Sequence, residues 1–102
     1  MRKIYSTNEL KEIVFPIAEN YGVERIFLFG SCARGEQSEN SDLDFRIDKG
    51  DITDYLMLSA FNIDLEDALN ETVDVITTGS LDSSFLDKIR NDEVLLYERA
   101  GH

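Results

Sequence analysis

The segment from residue 42 to residue 48 alternates strictly between charged and apolar side chains. Successive side chains of a β-strand point to opposite faces, so this pattern predicts a strand with one buried face and one wet face. The charged residues that the pattern assigns to the wet face are Asp42, Asp44, Arg46 and Asp48.

Helical and strand patterns alternate along the rest of the chain. Ser6 and Glu9 form a capping box that predicts the start of a helix, Gly22 is a plausible end, and Pro16 is expected to kink or divide this helix. The other predicted elements are strands at 23–29 and 72–77, helices at 53–70 and 81–89, and a short edge strand at 94–97. This order predicts an α/β or α+β sheet domain.

Length and charge restrict the classes of function. The chain has 102 residues, which predicts one domain spanning residues 1–102. Its 21 acidic and 10 basic residues give a formal net charge of −11. This balance argues against direct nucleic-acid binding and favours a metal site or a basic protein partner. Ordinary solvated surface charge is an equally good account of the acidic excess.

The N-terminus and the cysteine content indicate where the protein works. Cys32 is the single cysteine, so the sequence allows no internal disulfide and fits a reducing compartment. The first ten residues lack the apolar run of a signal peptide, and no apolar stretch approaches the roughly 20 residues that span a membrane. We therefore expect a cytoplasmic protein without a membrane segment.

Gly30 and Ser31 stand where the predicted strand 23–29 ends. A glycine at this point lets the backbone approach a phosphate without a Cβ in the way. The hydroxyl of Ser31 and nearby amides can then donate to phosphate oxygens. Arg34 follows in the same segment and can meet a phosphate as a charged donor. An ordinary role for Arg34, either solvated or in a salt bridge to Glu36 or Glu39, explains this residue as well as a phosphate contact does.

Three carboxylates supply the complementary charge. Asp42 and Asp44 are two residues apart on one strand and therefore point the same way. Asp74 lies on the later strand 72–77 and is the natural third ligand. Magnesium prefers hard oxygen ligands, and two ions together can stabilise the attacking and leaving oxygens of a phosphoryl transfer. The three residues therefore predict a site for two Mg²⁺ ions.

Each of these features also has an ordinary structural explanation. The carboxylates alone are compatible with solvent-facing strand residues, and Gly30-Ser31 alone with a turn that ends a strand. The combination of spacing, strand context and a third carboxylate favours the functional interpretation. Cys32 is not expected to be a nucleophile, because the single histidine is His102 at the far end of the chain.

The run GSCARGEQSENSDLD, residues 30 to 44, resembles the signature of the DNA polymerase β nucleotidyltransferase superfamily. Gly-Ser, ten intervening residues, Asp-x-Asp and a later strand aspartate make up that signature. The short chain resembles the minimal nucleotidyltransferase (MNT) branch, and the similarity extends from about Val23 to Tyr97.

The resemblance implies a mixed sheet with helices packed on one face and the active site on the other. It implies ATP as substrate and magnesium as cofactor. Carried over by position, Gly30 and Ser31 bind phosphate, Asp42 and Asp44 bind metal, and Asp74 helps to activate the attacking hydroxyl. It also implies a cognate HEPN-domain toxin whose tyrosine receives AMP, with this chain as the antitoxin.

The sequence departs from the family pattern at three positions. Cys32 replaces a residue that is often larger and basic in relatives, which weakens one phosphate contact. Arg46 and Asp48 put charge where relatives are often apolar. These departures bear on nucleotide affinity more than on the type of reaction.

Three hypotheses about function follow. The first is a magnesium-dependent protein adenylyltransferase, in which AMP passes to a hydroxyl and pyrophosphate is released. The second is a binding antitoxin that neutralises its partner by complex formation without catalysis. The third is transfer to a small molecule such as an aminoglycoside, which is less favoured because enzymes of that kind usually carry a second domain.

The predicted helix 53–70 carries more apolar residues than one stripe needs. Tyr55, Leu56 and Met57 are consecutive, so they cannot all lie on the buried side. Burial in the core is the ordinary interpretation of such residues. An interface with a partner or within an oligomer is the alternative.

Overall fold

The first helix begins at the predicted capping box. The Ser6 hydroxyl accepts a hydrogen bond from the Glu9 amide at 3.1 Å, and the Glu9 carboxylate accepts one from the Ser6 amide at 3.0 Å. The helix ends at Gly22, whose φ of 70° is the left-handed conformation that glycine adopts without steric cost. Pro16 lies inside the helix but does not divide it.

The computed structural model describes residues 5–30 and 43–100. Within these ranges the predicted order of helices and strands is confirmed. In chain order the elements are α1 (Thr7–Tyr21), β1 (Arg25–Phe29), β2 (Leu43–Asp48), α2 (Tyr55–Leu69), β3 (Val73–Thr77), a 3₁₀ turn (Thr78–Ser80), α3 (Ser83–Arg90) and β4 (Val94–Glu98).

The strands of the described ranges form one mixed sheet in the order β3-β2-β1-β4. Strand β1 pairs antiparallel with β2 and with β4, while β2 pairs parallel with β3. Helix α2 is the crossover that a parallel pair requires. Strand β4 lies at one edge, as its short apolar run predicted, and β3 lies at the other.

Helices α1 and α2 cover one face of the sheet, where the apolar side chains of β2 are buried. Leu43, Phe45 and Ile47 are each no more than 3% exposed. The other face carries the alternate positions of β2, as predicted. Helix α3 lies toward this second face, because its Phe85 ring makes an edge-on contact with the Phe29 ring at 6.4 Å.

The prediction that Arg46 lies on a wet surface was wrong. Arg46 does point away from the core helices, but it is only 6% exposed. Its guanidinium holds both carboxylate oxygens of Glu93, at 2.6 and 3.0 Å, and lies 4.0 Å above the Phe27 ring. The segment that carries Glu93 therefore covers this half of the second face.

Asp48 is also less wet than the alternation predicted, with 22% of its side chain exposed. It accepts hydrogen bonds from the Thr78 hydroxyl and from the Arg25 guanidinium. Thr78 belongs to the 3₁₀ turn, which folds back over the end of β2. In the described part of the chain, no helix is long and apolar enough to span a bilayer.

Candidate active site

Asp44 and Asp74 lie side by side on neighbouring strands. They are direct partners in the parallel register of β2 and β3, so both side chains project from the face opposite α1 and α2. Neighbouring strands are about 4.8 Å apart, which puts the two carboxylates within reach of one another. Asp44 is half-buried and Asp74 is exposed.

Gly30 approaches Asp44 from the other side. Phe29, the last residue of β1, is the antiparallel partner of Asp44, and Gly30 follows with a φ of 78°. A Cβ on Gly30 would lie 2.7 Å from Oδ2 of Asp44, closer than real contacts allow. Both the backbone conformation and the space therefore require glycine, and the chain backbone lies directly against the carboxylate.

Two adjacent carboxylates favour a bound cation. Their mutual repulsion is on the order of 1 kcal/mol in water and grows where the site is shielded from solvent. Carboxylate oxygens are the hard ligands that Mg²⁺ prefers, so the donor chemistry of Asp44 and Asp74 fits this ion. Residues 5–30 and 43–100 contain no group of three or more candidate metal ligands. The third predicted ligand, Asp42, lies outside the described residues.

The described residues therefore hold half of the predicted site. The structure brings together Gly30, Asp44 and Asp74. Ser31, Arg34 and Asp42 belong to the segment 31–42, outside the described residues, as does Cys32. Their proposed roles depend on the sequence pattern and on the position of that segment between Gly30 and β2.

Charged residues at the other end of this face form ion pairs with one another. Arg46 is bound by Glu93, and Arg25 contacts Glu98 at 2.8 Å and Asp48 at 3.1 Å. The hydrogen bond to Glu98, followed by that to Asp48, raises the pKa of the Arg25 guanidinium. Neither arginine is poised to meet a triphosphate, because both already neutralise carboxylates.

Sequence reasoning missed two components of this face. The first is the pair of Phe29 and Phe85, which forms an aromatic wall next to Asp44. The second is the bidentate pairing of Arg46 with Glu93. Both join residues 47 or more positions apart, so no local pattern indicates them. The one sequence signal for the ion pair was Arg46 itself, a basic residue in an alternating series whose other members, Asp42, Asp44 and Asp48, are acidic.

Comparisons with known proteins identify the family and the fold. The family described as "Polymerase beta, Nucleotidyltransferase" matches residues 8–102. The "Putative protein adenylyltransferase MJ0435" of Methanocaldococcus jannaschii is 39% identical over 87 residues, which cover 85% of this chain and 94% of that protein.

Two solved structures share the fold. A toxin–antitoxin structure with AMP-PNP matches with a TM-score of 0.74 and 22% identity, over 88% of this chain and 74% of that one. A complex of a tri-AMPylated Shewanella oneidensis HEPN toxin with an MNT antitoxin matches with a TM-score of 0.68 and 17% identity, over 92% of this chain and 74% of the other. At these identities the likeness concerns the fold. The match of the family model over nearly the whole chain, together with the 39% identical relative, shows that this protein belongs to the polymerase β nucleotidyltransferase family.

Proposed function

We propose that this protein is a single-domain, magnesium-dependent protein adenylyltransferase that transfers AMP from ATP to a tyrosine of a cognate HEPN toxin. Acting in this way, it is the antitoxin of a toxin–antitoxin system in the cytoplasm. The observation that carries the proposal is the in-register pair Asp44 and Asp74, with the backbone of Gly30 against Asp44. The names of the similar proteins support the acceptor and the partner.

The reaction is an in-line displacement at the α-phosphorus of ATP. A new bond forms between the tyrosine oxygen and that phosphorus, while the bond to the bridging oxygen of the β-phosphate breaks and pyrophosphate leaves. Asp74 accepts the proton of the tyrosine hydroxyl. Asp42 and Asp44 would hold Mg²⁺, and the ion would supply positive charge to offset the charge that builds up on the phosphate oxygens.

The exposure of Asp74 suits this role. Strand β3 is at the edge of the sheet, and Asp74 is open to solvent there, whereas Asp44 is enclosed between Phe29 and Asp74. A protein side chain can therefore reach Asp74 from the β3 edge without displacing the nucleotide. A general base must come within about 3 Å of the hydroxyl that it deprotonates.

The phosphates are expected to rest on the Gly30-Ser31 turn. Because Arg25 and Arg46 are already bound by carboxylates, we assign the positive charge for the triphosphate to Mg²⁺ and Arg34. The Ser31 hydroxyl and the amides after Gly30 supply neutral donors. This arrangement makes the transfer depend strictly on the divalent ion.

The test uses ATP labelled at the α-phosphate, Mg²⁺ and the purified HEPN toxin that the proposal names as the acceptor. We expect label on the toxin with the wild-type chain and a loss of at least about 100-fold with Asp44→Asn or Asp74→Asn. Glu19→Gln is the control, because it removes one charge from an exposed position of α1 on the far side of the sheet. Unlabelled toxin with the wild-type chain would contradict the proposal.

Binding without catalysis is the alternative function, and the net charge of −11 favours it for a basic toxin. The same variants separate the two. If Asp44→Asn and Asp74→Asn still bind the toxin but cells are no longer protected, catalysis is required. If protection persists without transfer, complex formation alone neutralises the toxin.

A further inference from the structure

Helix α2 presents an apolar strip to solvent. Tyr55 is 86% exposed, Leu56 is 84% exposed and Ile63 is 55% exposed. Residues 56 and 63 are two turns apart, so they lie on the same side of the helix, with Ser59 between them. We call Tyr55, Leu56, Ser59 and Ile63 the α2 strip.

The α2 strip continues onto the edge of the sheet. Ser59 and Ile63 line a shallow hollow together with Leu58, Asn62 and Val75. Val75 belongs to β3 and directly follows Asp74, whose side chain points to the opposite face because neighbouring strand residues alternate. The strip and the exposed carboxylate of Asp74 therefore lie on either side of one edge strand.

The small side chain at the centre of the strip suits an approaching helix. Ser59 lies between the larger side chains of Tyr55, Leu56 and Ile63, and the next residue, Ala60, is also small. A helix that buries apolar side chains against another helix needs small residues or grooves at the closest point. The strip offers this shape over about two turns of α2.

The charge around the strip selects the partner. Asp51 and Asp54 precede the strip, and Glu66 and Asp67 follow it. Asp51 is 72% exposed and lies 3.5 Å from the Arg99 guanidinium, and the Glu66 carboxylate accepts a hydrogen bond from the Val73 amide. Lys49 is the basic residue in the neighbouring hollow beside Asp54 and Tyr55. The surroundings of the strip are thus acidic on balance.

This charge disfavours a second copy of the chain. Two molecules that each carry a net charge of −11 repel one another, most strongly when acidic ends meet across an apolar contact. A partner with an apolar helical face flanked by lysine or arginine matches both the strip and its acidic ends.

We propose that the α2 strip is the docking surface for a basic, amphipathic helix of the acceptor protein. The proposal rests on the proposed function, in which a protein is the acceptor. A helix seated on α2 and Val75 leaves the acceptor chain next to the β3 edge. A tyrosine reaching around that edge then meets Asp74. Docking and transfer therefore use the two sides of one strand.

The experiment compares two exposed leucines in the full chain. Leu56→Ser removes the 84% exposed leucine of the strip, and Leu95→Ser is the matched control on β4, at the other edge of the sheet, where Leu95 is 41% exposed. The probe is the purified HEPN toxin named in the proposed function, and its Kd is measured by calorimetry. We expect Leu56→Ser to weaken binding about 30-fold or more and Leu95→Ser to leave it within twofold.

A second measurement tests the charges. Asp67→Asn should weaken binding at low salt and reduce the dependence of Kd on ionic strength. Label transfer at saturating partner should stay within about threefold of wild type in Leu56→Ser, because the variant affects docking rather than chemistry.

Two results would overturn the proposal. One is unchanged affinity in Leu56→Ser and in Ile63→Ser. The other is a wild-type homodimer, seen by light scattering, that Leu56→Ser converts to monomers. A different result would contradict the proposed function: the partner binds through the strip, but the wild-type chain transfers no label. If the wild-type chain transfers label but the strip variants bind the partner as tightly as wild type, the proposed function stands and the α2 strip is not the docking surface.

Discussion

The guanidinium of Arg46 and the carboxylate of Glu93 form a two-point ion pair across 47 residues of sequence, with nitrogen–oxygen distances of 2.6 and 3.0 Å. The Arg46 side chain is 7% exposed and that of Glu93 is 10% exposed. The pair ties β2, which carries Asp44, to the segment that enters β4. It holds that segment over the second face of the sheet.

Removing one partner of this pair should destabilise the fold. Arg46→Met leaves the buried Glu93 carboxylate without its main counter-charge, which costs roughly 3–5 kcal/mol of unfolding free energy. The double variant Arg46→Met, Glu93→Met should recover most of the loss. Urea denaturation followed by circular dichroism measures both. Arg25, whose side chain is 36% exposed, is the control: Arg25→Met should lose far less. Equal losses would show that burial of Arg46 is not the cause.

Glycine at position 30 should be required for catalysis. In Gly30→Ala the new methyl group meets Oδ2 of Asp44 at 2.7 Å and the backbone keeps an unfavourable φ of 78°, so the carboxylate or the turn must shift. We expect label transfer to fall at least tenfold while the chain stays folded. Gly79→Ala is a matched control, because a Cβ there meets nothing within 4 Å of the described residues. Normal transfer in Gly30→Ala would argue against the phosphate turn.

Magnesium should stabilise the wild-type chain and not its carboxylate variants. Ligand binding to the folded state adds about 2.7 kcal/mol at a concentration of 100 times Kd. The Tm should therefore rise with MgCl₂ in the wild type, and the rise should shrink or vanish in Asp44→Asn and Asp74→Asn. In EDTA Asp74→Asn should be at least as stable as wild type, since the repulsion between residues 44 and 74 is relieved. A rise of equal size in all three proteins would place the ion elsewhere.

Acidification should loosen α3 before the rest of the fold. Asp82 caps this helix, and the hydrogen bond from the Phe85 amide, followed by that from the Ser84 hydroxyl, lowers the pKa of its carboxyl group. A lowered pKa means that the stabilisation is present above the usual pKa of aspartate and is lost as the pH falls through the lower value. The protection of the α3 amides from exchange, measured relative to their intrinsic exchange rate at each pH, should fall over this acidic range. Asp82→Asn keeps a hydrogen-bonding cap without the charge, so its exchange should not respond to pH in the same way.

The sequence predicted those parts of the fold that depend on neighbours along the chain. The capping box at Ser6 and Glu9 is present because its two hydrogen bonds span three residues. The alternation of β2 correctly separated Leu43, Phe45 and Ile47 from Asp44, because strand geometry alone fixes the two faces. The family pattern predicted that Asp44 and Asp74 belong to one site. The register of β3 against β2 places them side by side.

The rest depends on contacts that are distant in sequence. The alternation around Arg46 predicts a solvent-exposed side chain. Its burial results from the ion pair with Glu93, which no residue near position 46 indicates. The position of α3 depends on the contact of Phe85 with Phe29, which no periodicity indicates. Pro16 was expected to kink or divide α1; it does not divide the helix, whose Leu10, Val14 and Ala18 are fully buried on one side.

Strand β3 occupies the margin of the sheet, where backbone amides and carbonyls can recruit a foreign strand and start aggregation. A charge on such a margin discourages that pairing, and the Glu66 carboxylate also takes up the Val73 amide at 3.0 Å. Asp74 thus has a second use as a gatekeeper against self-assembly. Asp74→Asn, which is expected to abolish AMP transfer, would also remove this charge from the edge strand. The variant should therefore be less soluble than wild type, because strand pairing between molecules is less strongly opposed.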